Sequence, residues 1–379
     1  MAGVYGCDWV KAGQWIGTVQ AQVSGRIVLN LDSVPKGQLY GFLYYYPEGL
    51  PIGASIQIDE SETFDGRETT YQVAYFDPLI GAIIDQRQVD LAAKFPGFSF
   101  PDEIRIAFSD PQLDENSLRL NVTFVDGTFV KVDLEKSEPP EFSDMEAENI
   151  SWTDFKSVVT AYEPYQYLFR GQALPWSLQS SFHRTNRSCL HRFLGYDLQE
   201  IHRAVTSHTN HIFNLDRADE LGAITALAQH HGYPTPLIDW SWSPYVAAWF
   251  AFEKQFRPEA EANRPVRILA LDQTALEKFR SSFFLTYSIQ HISKLESLAI
   301  ENPRMAPQQG ILTLTNVRDV ERHIFWLEKS SGIKLLRAFD IPYFERENAL
   351  RELRLMGITY GTLFPGIDSS CAELRSRNF

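Results

Sequence analysis

The 379-residue chain has only three cysteines, Cys7, Cys189 and Cys371, and none sits at metal-ligand spacing from another. A set so sparse and odd excludes a disulfide framework and fits a reducing compartment, so a cytoplasmic location and no metal site are expected. Long apolar runs are also missing. The longest, residues 245–252, falls well short of the roughly 20 residues that cross a bilayer, and no membrane association is expected. The opening Met-Ala-Gly-Val-Tyr-Gly-Cys-Asp lacks a basic region followed by an apolar stretch, so no secretory signal is expected. The Asn-x-Ser/Thr triplets at Asn121, Asn149 and Asn186 are then chance matches. There is no Gly-x-Gly-x-x-Gly, no Gly-x4-Gly-Lys-Ser/Thr, no Gly-x-Ser-x-Gly and no His-Glu-x-x-His. Rossmann, P-loop, α/β-hydrolase and zincin chemistries therefore have no support.

Positive charge is scarce in the first part of the chain. Residues 1–145 carry 10 Lys+Arg against 22 Asp+Glu, whereas the remainder carries 25 against 26. The acidic part is poorly suited to holding a phosphate backbone. It reads as a solvated surface or as an acidic face for a basic protein partner.

What is present divides into two patterns. Residues 1–135 read as short strands at 15–20, 25–31, 38–46, 54–58, 70–76 and 104–108. A hairpin at 117–134 turns on Asp126-Gly127, a strong short-range hairpin signal. Such strands between Gly, Pro and Asp turns predict an all-β sandwich or barrel-like domain. Residues 136–150 are acidic, contain Pro139-Pro140 and read as a linker. From 151 to 379 helices and strands mix, so the chain is expected to be α+β with two domains. Helices are expected at 152–161 with Ser151 as cap, at 190–211, at 216–231 capped by Asp216 and stopped by Gly232, and at 244–254 with Ser243 as cap and Pro244 in the first turn. Further helices are expected at 319–326 and 346–356. Strands are expected at 165–169, 237–240, 266–271 and 310–314.

Three segments of the second part are dense in functional residue types. In Phe169-Arg170-Gly171-Gln172, an Arg at a strand end offers a guanidinium fork to phosphate or carboxylate, and Gly171 lets a ligand or another backbone approach. The same Arg also suits a structural pair with a neighbouring acid, and four residues leave both readings open. In residues 228–241, Gln229, His230, His231 and Thr235 precede Asp239-Trp240-Ser241. A His in a last helical turn can simply complement the helix dipole. Trp240 and Trp242 can be core or can wall a planar ligand. In residues 304–313, Gln309 precedes a Gly-led strand and can present an amide to a ligand. A basic stretch, His183, Arg184, Arg187, His191 and Arg192, reads either as a phosphate contact or as a solvated helix face.

Together these segments resemble the FRG domain, whose name is the Phe-Arg-Gly run. The middle segment is similar to its Gln-His-x-Gly-x-Pro-Thr-x-Leu-Leu-Asp-Trp block followed by Ser-Pro-x-Val-Ala, and residues 309–313 to its Gln-x-Gly-x-Phe-Thr strand. Gly357-Ile358-Thr359 with Leu363-Phe364-Pro365-Gly366 resembles its closing turn. The likeness covers about residues 153–374. Pro236 stands where the family often has a basic residue, and Leu312 replaces the usual Phe.

The order of parts is also similar, more faintly, to ADP-ribosyltransferases, which implies a split sheet and NAD as substrate. On that resemblance the catalytic set is Arg170, His230, Asp239 and Gln309. Arg170 grips the phosphates, and Asp239, Trp240 and Ser241 shape the nicotinamide side. His230 deprotonates an acceptor, and Gln309 falls near the place of a late Glu. Phe169, Gly171, Gln172, Gln229 and Thr235 complete the cofactor-binding set. The acceptor implied is nucleic acid or protein, in bacterial anti-phage defence or as a toxin. NAD hydrolysis and a silent nucleotide- or partner-binding module are the rival readings, as is a purely structural hydrogen-bond network.

Overall fold

The computed structural model describes residues 11–20, 23–34, 38–59, 66–109, 116–254, 263–279 and 288–378; Cys7 lies outside them. The chain is mixed α+β. Strands β1 (Gly13–Val19), β2 (Gly25–Val34), β3 (Gln38–Pro47), β4 (Gly53–Ile58), β5 (Glu68–Gln72), β6 (Ala74–Phe76), β7 (Glu103–Ser109), β8 (Ser117–Thr123) and β9 (Phe129–Lys136) make one antiparallel sheet. Its order is β5-β7-β8-β9-β1-β2-β3-β4-β6. The two edge strands are consecutive in the chain, with Val73 alone between them. One edge that continues into the other through a single residue forces the sheet to roll up, and the result is a nearly closed barrel. Leu118, Leu120 and Val122 of β8 are buried while the residues between them are half-buried, the period of two that sends alternate side chains inward. The hairpin expected at Asp126-Gly127 is present, with the Phe124 N–H bonded to Thr128 O and the Asp126 carboxylate accepting from Thr128 N at 2.9 Å.

The second sheet holds β10 (Glu148–Asn149), β11 (Tyr167–Gln172), β12 (Leu237–Ser241), β13 (Val266–Asp272), β14 (Ile292–Leu295), β15 (Gly310–Thr315) and β16 (Leu336–Ile341). Its order is β10-β16-β13-β11-β12-β15-β14; β10 and β16 are parallel and the other neighbours antiparallel. Every residue of β13 is buried, as expected for a strand covered on both faces. On one face Phe169, Ile268, Ala270 and Phe339 meet Trp152, Phe155, Ala248 and Phe252. On the other, Leu168, Leu269, Leu271 and Ala338 pack with Val320 and Ile324.

Several caps follow the residue types. Ser151 accepts from Asp154 N at 3.1 Å, and Ser243 accepts from Val246 N at 3.2 Å ahead of Pro244. Gly232 takes φ +89°, the left-handed conformation that ends a helix at low steric cost. Other expectations fail. The helix at 216–231 begins at Ala218, after Arg217, and Asp216 does not cap it; Asp219 and Glu220 occupy its first turn instead. The helix expected through 211 stops at Thr206, and a π-turn, Phe193–Asp197, interrupts it. β11 does not end at Phe169 but continues through Arg170, Gly171 and Gln172.

Residues 136–150 run between the sheets under many ties. Ser137 N bonds Gln14 O, Glu138 pairs with Arg318 at 2.6 Å, and the Ser143 hydroxyl donates to Glu321 at 2.6 Å. Two fully buried polar side chains of the barrel reach into the rest of the chain. Gln14 donates to Asn316 O at 2.8 Å and accepts from Arg318 N at 3.1 Å. Asp32 accepts from Ser188 N at 2.7 Å and Cys189 N at 3.0 Å and pairs with Arg187 at 2.9 Å. Among the described residues no helix is long and apolar enough to cross a membrane.

Candidate functional site

The neighbouring strands β11 and β12 pair at one position only, Phe169↔Ser241, whereas β11 stays registered with β13 over six residues. Where β11 and β12 part, a cavity of about 460 Å³ opens. Arg170 and Gln172, two apart in a strand, point to the same face of β11. Phe169 and Gly171 point to the other face, toward the helix Pro244–Phe252. A Cβ on Gly171 would lie 1.7 Å from Ala247 O, so the glycine is required by the helix backbone.

Phe169, Arg170, Gly171, Gln172, Gln229, His230, Asp239, Trp240 and Ser241 all line this cavity. Arg170 spans the gap and donates through Nη1 to the backbone carbonyl of Asp239 at 2.7 Å. Its Nε is buried with no partner. Burial disfavours the guanidinium charge, and the nearby Asp239 carboxylate offsets part of that. Asp239 is accessible through the cavity yet enclosed by protein. Burial raises its carboxyl above the usual range, against the opposing pull of Arg170 and the hydrogen bond from Gln229. That bond runs from Gln229 Nε2 to Asp239 Oδ2 at 2.6 Å, and the other end of the Gln229 amide accepts from the Thr235 hydroxyl. Thr235 is fully buried and outside the cavity lining, so it fixes Gln229 and contacts no ligand space. Ser241 Oγ donates to Gln308 O at 2.7 Å and accepts from Ser243 N at 3.1 Å, which ties β12 to the segment before β15. The Trp240 indole is core, and its N–H is satisfied by Thr313 Oγ1 at 2.9 Å. Burial, then Arg304, then His231 lower the His230 pKa, so its imidazole is neutral near pH 7.

Gln309 is a correction. It is exposed, has φ +48° and is absent from the cavity lining; its backbone carbonyl accepts from Trp242 N at 3.0 Å. The left-handed turn just before β15 directs Gln308 to the cavity instead, with Gln308 Nε2 bonded to Leu363 O at 3.1 Å. The basic stretch is a second correction. Arg187 is taken up by Asp32 and Asp197, His183 is fully buried, and His191 lies against Tyr40 and Phe42 of the barrel. Of that stretch only Arg184 lines the cavity.

Sequence reading passed over Trp176, Phe250, Glu253, Lys254 and Asn302, which also line the cavity, as does Phe364, quoted only as part of the closing turn. Arg304, quoted only as part of a motif, stands there too, over the Phe364 ring at 5.1 Å. Arg170, Arg184, Lys254 and Arg304 thus face Asp239 and Glu253, an excess of positive charge suited to an anion. No curated protein and no solved structure matches the chain. The model of one family, described as FRG domain, matches residues 165–260, about a quarter of the chain, a stretch that includes Arg170, His230 and Asp239. The chain carries an FRG domain, and its cleft between β11 and β12 is built mainly from that domain's residues.

Proposed function

We propose that this cleft binds NAD and transfers its ADP-ribosyl group to a nucleic-acid or protein acceptor, with bacterial anti-phage defence or toxicity as the biological setting. The supporting observation is the set of four cationic side chains, Arg170, Arg184, Lys254 and Arg304, that line one cavity, with the Nε of Arg170 buried and left without an acceptor. In the reaction the bond between ribose C1′ and the nicotinamide nitrogen breaks, and its electron pair leaves with nicotinamide. The cationic C1′ needs a nearby carboxylate, and Asp239 is the one fixed in the cleft. An acceptor oxygen then bonds to C1′, and its proton passes to the neutral His230. If water takes the acceptor's place, the same site is an NAD glycohydrolase. A binding module without chemistry is favoured by one observation: Gln229 and Arg170 already compensate the charge of Asp239.

Incubation with NAD, with and without candidate nucleic-acid and protein acceptors, separates these readings. Nicotinamide release that Arg170→Ala abolishes, in a variant that still folds, supports the enzyme. NAD binding without release leaves the silent module. Loss of folding in Arg170→Ala assigns the arginine a structural role.

A further inference from the structure

The cleft contains two polar groups that the phosphate-binding reading does not use. Gln172 is 5% exposed and Asn302 is 8% exposed, and both line the cavity. The side-chain oxygens Gln172 Oε1 and Asn302 Oδ1 have no hydrogen-bond partner and are closed to solvent. A buried acceptor without a donor is costly, and most buried polar groups in folded proteins are satisfied. Two such acceptors at one cavity, beside an unpartnered arginine donor, form a pattern that a ligand can complete.

The backbone is fixed at both positions. Gln172 closes β11, registered opposite Arg267 of β13. Asn302 lies in the turn before β15, where its backbone carbonyl accepts from Met305 N and the neighbouring Glu301 carboxylate anchors Asn210 N at 3.0 Å. Terminal amide torsions are broad, so either amide can rotate to present its oxygen to a ligand. Trp176, Phe250 and Phe364 supply aromatic surface to the same cavity, and Phe250 and Phe364 meet edge to face at 6.1 Å. Aromatic faces with amide acceptors suit a flat heterocycle bearing an NH2 group.

We propose that Gln172 and Asn302 are the base-reading subsite of the cleft and accept hydrogen bonds from an NH2 group on the ligand's heterocycle. This rests on the nucleotide-binding reading above and specifies it. In NAD the NH2 group can come from the adenine amine or from the nicotinamide carboxamide, and the two sources are separable.

The test is calorimetric titration of the full chain with NAD, its hypoxanthine analogue, its nicotinic-acid analogue, ADP-ribose and inorganic pyrophosphate. One of the two analogues that lack an NH2 group should bind at least about 10-fold more weakly than NAD. Gln172→Met or Asn302→Leu should erase that difference while leaving pyrophosphate binding unchanged. A weaker hypoxanthine analogue assigns the subsite to adenine, and a weaker nicotinic-acid analogue assigns it to nicotinamide. The ligand-free Gln172→Met variant should melt higher than the parent, by roughly 2 °C, because an unsatisfied acceptor is removed. A lower melting temperature means that the amide serves the fold and contradicts the subsite. Equal binding of NAD and both analogues overturns the subsite and leaves the nucleotide site standing. Failure of every ligand, pyrophosphate included, overturns both.

Discussion

Arg170 holds the Asp239 carbonyl with one nitrogen and leaves its buried Nε without a partner. On the proposed reading, a phosphate would engage the guanidinium while its structural contact to Asp239 stays in place. Asp239 carries the second prediction. Burial raises its carboxyl, so protonation starts at higher pH than for an ordinary carboxylate. On the proposed mechanism its ionised form is the active one, so nicotinamide release should have an acid limb displaced upward from the usual carboxylate range. Asp239→Asn should remove both the limb and the activity; an unchanged acid limb in Asp239→Asn would assign the titration elsewhere. Residue types were legible in the sequence, but directions were only partly so. Arg170 and Asp239 were readable as residue types, but the strand ends expected beside them were not found: Arg170 lies inside β11 and Asp239 in the middle of β12. Gln309 was misplaced because the left-handed turn before β15, which exchanges it for Gln308, has no signal in a Gln-Gln pair. Asn302 was passed over because an isolated Asn in a turn resembles any other solvated turn residue.

At the scale of the element, the cleft exists because β11 and β12 meet once and then part. Gly171 sits at the parting, under the backbone of the helix Pro244–Phe252. Gly171→Ala should push the helix off the strand and destabilise the protein by about 3 kcal/mol, measured as a loss in denaturant melts. A variant as stable as the parent would show that the helix can yield. The Ser-Pro start of that helix was readable because capping chemistry is local. Strands β10, β14 and β16 were missed: two are very short, and β16 carries Arg337 and Asp340 within an apolar run. The cap expected at Asp216 failed because the helix begins at Ala218, which leaves Arg217 at the cap position and Asp216 one residue outside it.

At the scale of the molecule, the acidic barrel is tied to the second sheet by buried polar contacts. Asp32 accepts two backbone N–H groups and an arginine across that contact. Asp32→Ala should cost about 3–5 kcal/mol, because Arg187 and both N–H groups lose a buried acceptor. The parent should unfold in one transition; two transitions, with only one shifted by the variant, would show that the sheets fold independently. The composition change near residue 136 was legible, whereas the ties were not. They depend on single polar residues, Gln14, Asp32 and Arg318, whose partners lie far away in sequence.

The most direct measurement is a crystal structure of the protein with NAD bound. The pyrophosphate should lie in the cleft between β11 and β12, with a phosphate oxygen about 3 Å from Arg170 Nε. A dinucleotide seated elsewhere, with Arg170 Nε still unpartnered, would contradict the account.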